Sequence, residues 1–163
     1  MKLEVFNLNN IVFYLSKEYL NRIHFKIDVD VEKEFKKLFI ELKNIFNLEL
    51  NGYYEVVVYI NDLYGIIIEM EKDDDEYIKI FGDTLDMKIT FKFDCEILYK
   101  IDNIDFIDFS KYNLYYNNNN LYISIKDNYL PKRNEYLNLL ENSNLIYGIE
   151  LKKIKRNLKL IKK

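Results

Sequence analysis

The sequence predicts an α+β fold: a mostly antiparallel β-meander sheet with one long amphipathic helix packed on it and a shorter C-terminal helix. Three observations carry this. Short runs rich in β-branched and aromatic residues recur along the chain, separated by joins of turn length containing Asn, Asp or Gly. In one of these runs Met87, Ile89, Phe91 and Phe93 alternate with Lys88, Thr90, Lys92 and Asp94, the period of a half-buried strand. Between Val31 and Phe46 the apolar period lengthens to that of a helix. Neighbouring strands joined by short turns pair antiparallel, and a helix among them gives the α+β class.

In chain order, Lys2–Phe6 and Ile11–Leu15 read as two strands, with Asn9 and Asn10 in the turn between them. The Ser16 hydroxyl can accept a first-turn N–H, so a short helix is expected over Glu18–Ile23. Val31, Phe35, Leu38, Phe39, Leu42, Ile45 and Phe46 then form one apolar stripe at helical spacing, with Asp30 placed to cap it. Tyr53–Ile60 and Gly65–Glu71 read as a hairpin across Asn61–Tyr64, with the helix packed over the pair. Asp73–Glu76 reads as a loop, Tyr77–Phe81 as a strand and Gly82–Thr84 as its turn. After the alternating run, Ile97–Ile101 is expected to return beside it, and Asp102–Phe109 to form one helical turn. Leu114–Tyr116 and Leu121–Ile125 make a hairpin over the four consecutive Asn residues from Asn117 to Asn120. Pro131 fits the first position of a helix whose modest apolar face is Tyr136, Leu137 and Leu140. The segment from Leu151 onward reads as a short helix followed by a strand. No low-complexity linker interrupts the chain. One domain over 1–163 is therefore expected, with the acidic loop 71–76 as the candidate boundary.

Composition narrows the function. A chain of 163 residues and 19.9 kDa is long enough to bury a core without a metal or disulfide staple. Its 49% hydrophobic and 16% aromatic content is far from that of a disordered segment. The excess of Ile, Asn, Lys and Tyr, and the absence of Ala and Gln, match AT-rich codon usage in a bacterial genome. Glu4 and the nearby Asn residues interrupt the start, so it does not read as a signal peptide. No apolar run approaches the roughly 18 residues of a membrane helix. A cytoplasmic protein without membrane contact is expected.

The four glycines, Gly52, Gly65, Gly82 and Gly148, are isolated, whereas phosphate loops need clustered glycines for the backbone to wrap the anion. His24 and Cys95 are the only residues of their types, too few for the usual zinc sites. The acids Asp73–Glu76 lack the spacing and the glycine of an EF-hand loop. Asp102, Asp105 and Asp108 recur every third residue, but read best as a solvated face opposite Ile104 and Ile107. Neither a cofactor nor a metal is expected, and no catalytic residue is assigned.

Two features could serve contacts. Tyr112, Tyr115, Tyr116 and Tyr122 cluster around one hairpin, and aromatics of this kind suit either a protein interface or base stacking. Lys152, Lys153, Lys155 and Arg156 make the end of the chain basic although the net charge is −3.

MKLEVFNLNNIVFYLSKEYLNRIHF combines a short strand, an Asn-containing turn, a strand ending at Ser16 and a short helix, with Arg22 and Phe25 following. Over residues 1–70 the chain resembles MecA-type adaptor proteins of Gram-positive bacteria. The amphipathic helix and the hairpin Tyr53–Glu71 continue the same order. The resemblance implies an adaptor whose N-terminal domain holds a client and whose C-terminal domain docks on a Clp unfoldase. The leading expectation is thus a non-enzymatic module with a protein partner. The alternatives are nucleic-acid binding through the basic C-terminal segment and a carboxylate-based enzyme.

Overall fold

The computed structural model describes residues 1–7, 9–26, 30–73, 85–93, 95–105 and 107–162. The chain is α+β, with two mostly antiparallel sheets and, among the described residues, four helices. It divides into two compact units, Met1–Asp94 and Cys95–Lys163, each built on its own five-stranded sheet. The division falls at Asp94–Cys95 and not in the acidic stretch 71–76.

The first unit contains β1 (Lys2–Asn7), β2 (Asn10–Ser16), α1 (Lys17–Arg22), α2 (Val31–Phe46), β3 (Gly52–Asn61), β4 (Gly65–Asp73) and β5 (Leu85–Lys92), in the sheet order β1-β2-β4-β3-β5. Alternate residues of the central strands point at α2: Phe13 and Leu15 from β2, Ile66 and Ile68 from β4, Val56 and Val58 from β3. From the helix, Phe35, Leu38, Phe39 and Leu42 complete this buried core. Each such side chain contributes about 1.5–3 kcal/mol by leaving water. Ile45, counted in the apolar stripe, is 48% exposed.

Local chemistry sets the ends of these elements. Ser16 Oγ accepts from Tyr19 N–H at 3.3 Å and starts α1. At its other end His24 adopts a left-handed φ of 55°, and Phe25 N–H donates back to Leu20 C=O at 3.0 Å. This double turn-back satisfies the last helical carbonyls and brings Phe25 onto Phe35, with ring centroids 5.1 Å apart. Asp30 caps α2 by accepting from Lys33 N–H at 3.3 Å. Asn61 Oδ1 accepts from Leu63 and Tyr64 N–H at 3.0 and 2.8 Å, which folds the β3–β4 join into an Asx turn. Gly65 has φ +123°, and a Cβ placed there would lie 2.4 Å from Leu15 C=O and 2.6 Å from Lys17 N. The close approach of β4 to the β2–α1 junction therefore requires glycine.

The second unit contains β6 (Leu98–Ile101), β7 (Tyr112–Asn117), β8 (Asn120–Ile125), α3 (Arg133–Glu141), β9 (Ser143–Ile146), α4 (Gly148–Lys155) and β10 (Lys159–Lys162), in the order β10-β7-β8-β6-β9. Asn118 and Asn119 have φ of 46° and 62°, the geometry of a two-residue hairpin turn that Asn tolerates better than other side chains.

Several sequence expectations are corrected. A single meander is replaced by two sheets: β6 does not return beside β5 but pairs with β8 and β9. β5 lies parallel to β3, on the side of β3 away from β4. The long helix and the shorter C-terminal helix are joined by two more among the described residues, Lys17–Arg22 and Gly148–Lys155, where short helices are expected from the sequence. The described part of 102–109 is not helical, since Asn103 and Asp108 side chains capture the N–H groups of Asp105 and Ser110 at 3.0 and 3.1 Å. Pro131 precedes α3 rather than opening it: the Glu135 carboxylate accepts from Lys132 N–H at 2.9 Å and fixes Lys132 as the cap. The short strand β9 has too few residues to show a period. The anticipated strand Tyr77–Phe81 and its turn lie outside the described residues. Among the described residues, no helix is long and apolar enough to cross a membrane.

Candidate interaction surfaces

The four tyrosines singled out in the sequence do not form one platform. Tyr115 stands opposite Tyr122 across the β7–β8 pair, and both pack on the side of the sheet that carries Leu151 and Ile154 of α4. The pleat turns Tyr112 and Tyr116 to the other side. Tyr112 and Tyr122 are buried and Tyr115 is half-buried, so only Tyr116 offers its ring to solvent. Its hydroxyl donates to Asn119 Oδ1 at 2.7 Å, closing the turn.

Lys152, Lys153, Lys155 and Arg156 line the exposed side of α4 and its end, while Leu151 and Ile154 face the core. Lys155 is paired with Glu96. Three lysines in the last turn also lie at the negative end of the helix dipole, a stabilising placement.

The other residues considered have local partners. Asp102 accepts from Asn144 Nδ2 at 2.7 Å, and Asp108 accepts from Ser110 Oγ at 2.6 Å, which holds its carboxyl below the usual range. Cys95 Sγ lies 3.6 Å from Glu96 C=O, and His24 serves the left-handed turn after α1. Among the described residues, no three His, Cys, Asp or Glu side chains converge as a metal site would need.

An apolar opening lies between α2 and β5. On the helix-facing side of β3, Tyr54, Val56 and Val58 are buried, whereas β5, at the end of the strand order, keeps Leu85, Met87, Ile89 and Phe91 only half-buried. Phe35 reaches Phe91, with ring centroids 5.3 Å apart. Val31, Phe39 and Ile40 form the opposite wall, and a cavity of about 610 Å³ runs between them. Lys36 and Asp86 stand at its margins. Ile40 is 61% exposed. The sequence offered one signal for this wall: Ile40 is an apolar residue outside the helical stripe.

A smaller cavity, about 300 Å³, opens on the other side of the same sheet around Phe6, Val57, Glu55, Glu69 and Glu71. Glu55 and Glu71 stand directly opposite each other in the β3–β4 register. Glu69 accepts from Tyr59 hydroxyl at 2.9 Å, and Lys88 lies 3.9 Å from Glu55.

A polar cluster in the second unit centres on Glu135. Lys111 Nζ donates to Oε1 at 2.7 Å, and Tyr129 hydroxyl donates to Oε2 at 2.6 Å. The Lys111 ammonium, the Tyr129 hydroxyl and the Lys132 N–H together draw the Glu135 pKa down to about 2. The same bond raises the pKa of Lys111, which also sits 3.3 Å from Asp108. Burial pushes the Tyr99 phenol up to about 12; its hydroxyl donates to Tyr136 hydroxyl at 3.4 Å. Each of these groups is held by a partner within the second unit. No family model, curated protein or solved structure matches the chain.

Proposed function

We propose that the chain is a non-enzymatic, cytoplasmic protein–protein interaction module of adaptor type, and that it seats apolar side chains of a protein partner between α2 and β5. The observation that carries this reading is the cavity of about 610 Å³ walled by apolar residues from both elements. An opening of that size with few polar groups suits apolar side chains delivered by a partner. The resemblance of residues 1–70 to MecA-type adaptors supports the same class. Nucleic-acid binding has the exposed Lys152, Lys153 and Arg156 in its favour, but base stacking would need neighbouring exposed rings, and Tyr116 stands alone among the four tyrosines of that hairpin.

The test is capture from the lysate of the source organism with the wild-type chain and Ile40→Asp. Ile40 is largely exposed, so the substitution should leave the fold intact. A partner held by the wild type and lost with Ile40→Asp, at an unchanged melting temperature, is the expected result. Equal retention by both proteins, or by neither, overturns the proposal.

A further inference from the structure

Helix α3 buries little of its own surface. Leu139 is its one fully buried side chain, and Leu137 is 41% exposed. Helices normally draw their stability from an apolar face, and a nine-residue helix has little of its own. Its N-terminal turn is instead held by one carboxylate that gathers three separate donors: Lys111 Nζ at 2.7 Å, Tyr129 hydroxyl at 2.6 Å and Lys132 N–H at 2.9 Å. The first two come from outside the helix. Lys111 belongs to the turn that leads into β7, and Tyr129 to the turn after β8, whose own N–H donates to Lys126 C=O at 2.9 Å. The ammonium also lies over the Tyr129 ring, 5.4 Å from its centroid. Charge-assisted bonds of this kind are among the strongest side-chain contacts, and all of them converge on a single residue.

We infer that α3 is a releasable helix and that Glu135 is its latch. While the carboxylate is engaged, the first turn of α3 is tied to both turns that flank the β7–β8 hairpin. When it lets go, the buried Leu139 and the half-buried Tyr136 and Leu140 are left to hold the helix, which opens locally while the sheet stays formed. Opening also lifts Tyr136 from the Tyr99 hydroxyl, which the helix otherwise meets at 3.4 Å. Low-stability segments of this sort are where proteins place moving parts. This device is independent of the groove between α2 and β5, so the failure of either idea leaves the other standing.

The experiment is amide hydrogen exchange by mass spectrometry on the full chain at neutral pH, with the wild type, Glu135→Gln and Lys111→Met. Glu135→Gln should speed exchange of the α3 amides by about tenfold or more, with β6 and β8 amides at their wild-type rates. Lys111→Met leaves the helix sequence untouched and should reproduce the effect in the same peptides. Unchanged α3 exchange in both variants overturns the latch. Joint acceleration of α3 and the sheet overturns it as well, because Glu135 would then be an ordinary contributor to the stability of the whole unit.

Discussion

The two units solve the same problem with different means. In the first, strands of six to ten residues meet a sixteen-residue helix, and its core holds large fully buried side chains such as Phe13, Phe35, Phe39 and Ile68. In the second, strands of four to six residues meet helices of eight and nine, and among its described residues the fully buried side chains, such as Leu98, Ile123 and Leu139, include no Phe. There, polar bonds join what apolar area does not: Lys111 to Glu135, Asn113 to Ser124 at 3.1 Å, Asn117 to the Ile154 carbonyl at 3.3 Å. Apolar burial tolerates changes of pH, while carboxylate bonds fail when the carboxylate is protonated. The first unit should therefore respond more to steric insult and the second more to charge.

Gly65→Ala is the strongest way to break this contrast. The added methyl meets backbone from two sides at a φ that only glycine accepts comfortably, so a loss of at least about 3 kcal/mol is expected. Urea unfolding followed by exchange in β2 and β4 should show the loss in the first unit, with β7 and β8 keeping their wild-type midpoint. A common shift of both would mean that the units unfold as one.

Acid should act the other way round. The Glu135 pKa falls from the ordinary 4.5 to about 2 in the folded protein. A depressed carboxylate contributes stability that is fully present above the unfolded pKa and is lost as pH falls through the folded one. Between about pH 4.5 and pH 2 the melting temperature of the second unit should therefore drop, and the gap between wild type and Glu135→Gln should close. A gap of constant size across that range would show that the carboxylate's charge is not what stabilises the turn.

The smallest effect is a gain. His24 holds a left-handed conformation that costs a side-chain-bearing residue roughly 1 kcal/mol, so His24→Gly should be neutral to stabilising, by up to about that much. Thermal melting of the full chain decides it, and a fall in midpoint would reveal a contact that the imidazole makes in its own right.

Much of the first unit is legible from sequence because its signals are local. The stripe from Val31 to Phe46, the caps Ser16 and Asp30 and the alternation at Met87–Phe93 depend on residues a few positions apart. What escapes is set by distance along the chain. Nothing near Leu98 says that its strand joins Ile123 and Leu145 instead of β5. Nor does anything near Lys111 point to Glu135. The tyrosine hairpin is different, since its separation was open to reading: Tyr115 and Tyr116 are consecutive in a strand and must face opposite sides. The groove was the least legible feature, because the alternation in β5 shows an apolar face but not that it stays partly open, which follows from its place at the end of the sheet.

The turn at Asn118–Asn119 has a consequence for how the second sheet assembles. In that sheet β7 and β8 are the one pair joined by a two-residue loop; β6 meets β9, and β7 meets β10, only after more than forty residues of intervening chain have been brought round. Loop closure of that length costs entropy before any strand contact returns it. Two asparagines that accept left-handed backbone thus give the sheet a cheap place to begin, and every later strand is added to an edge that already exists.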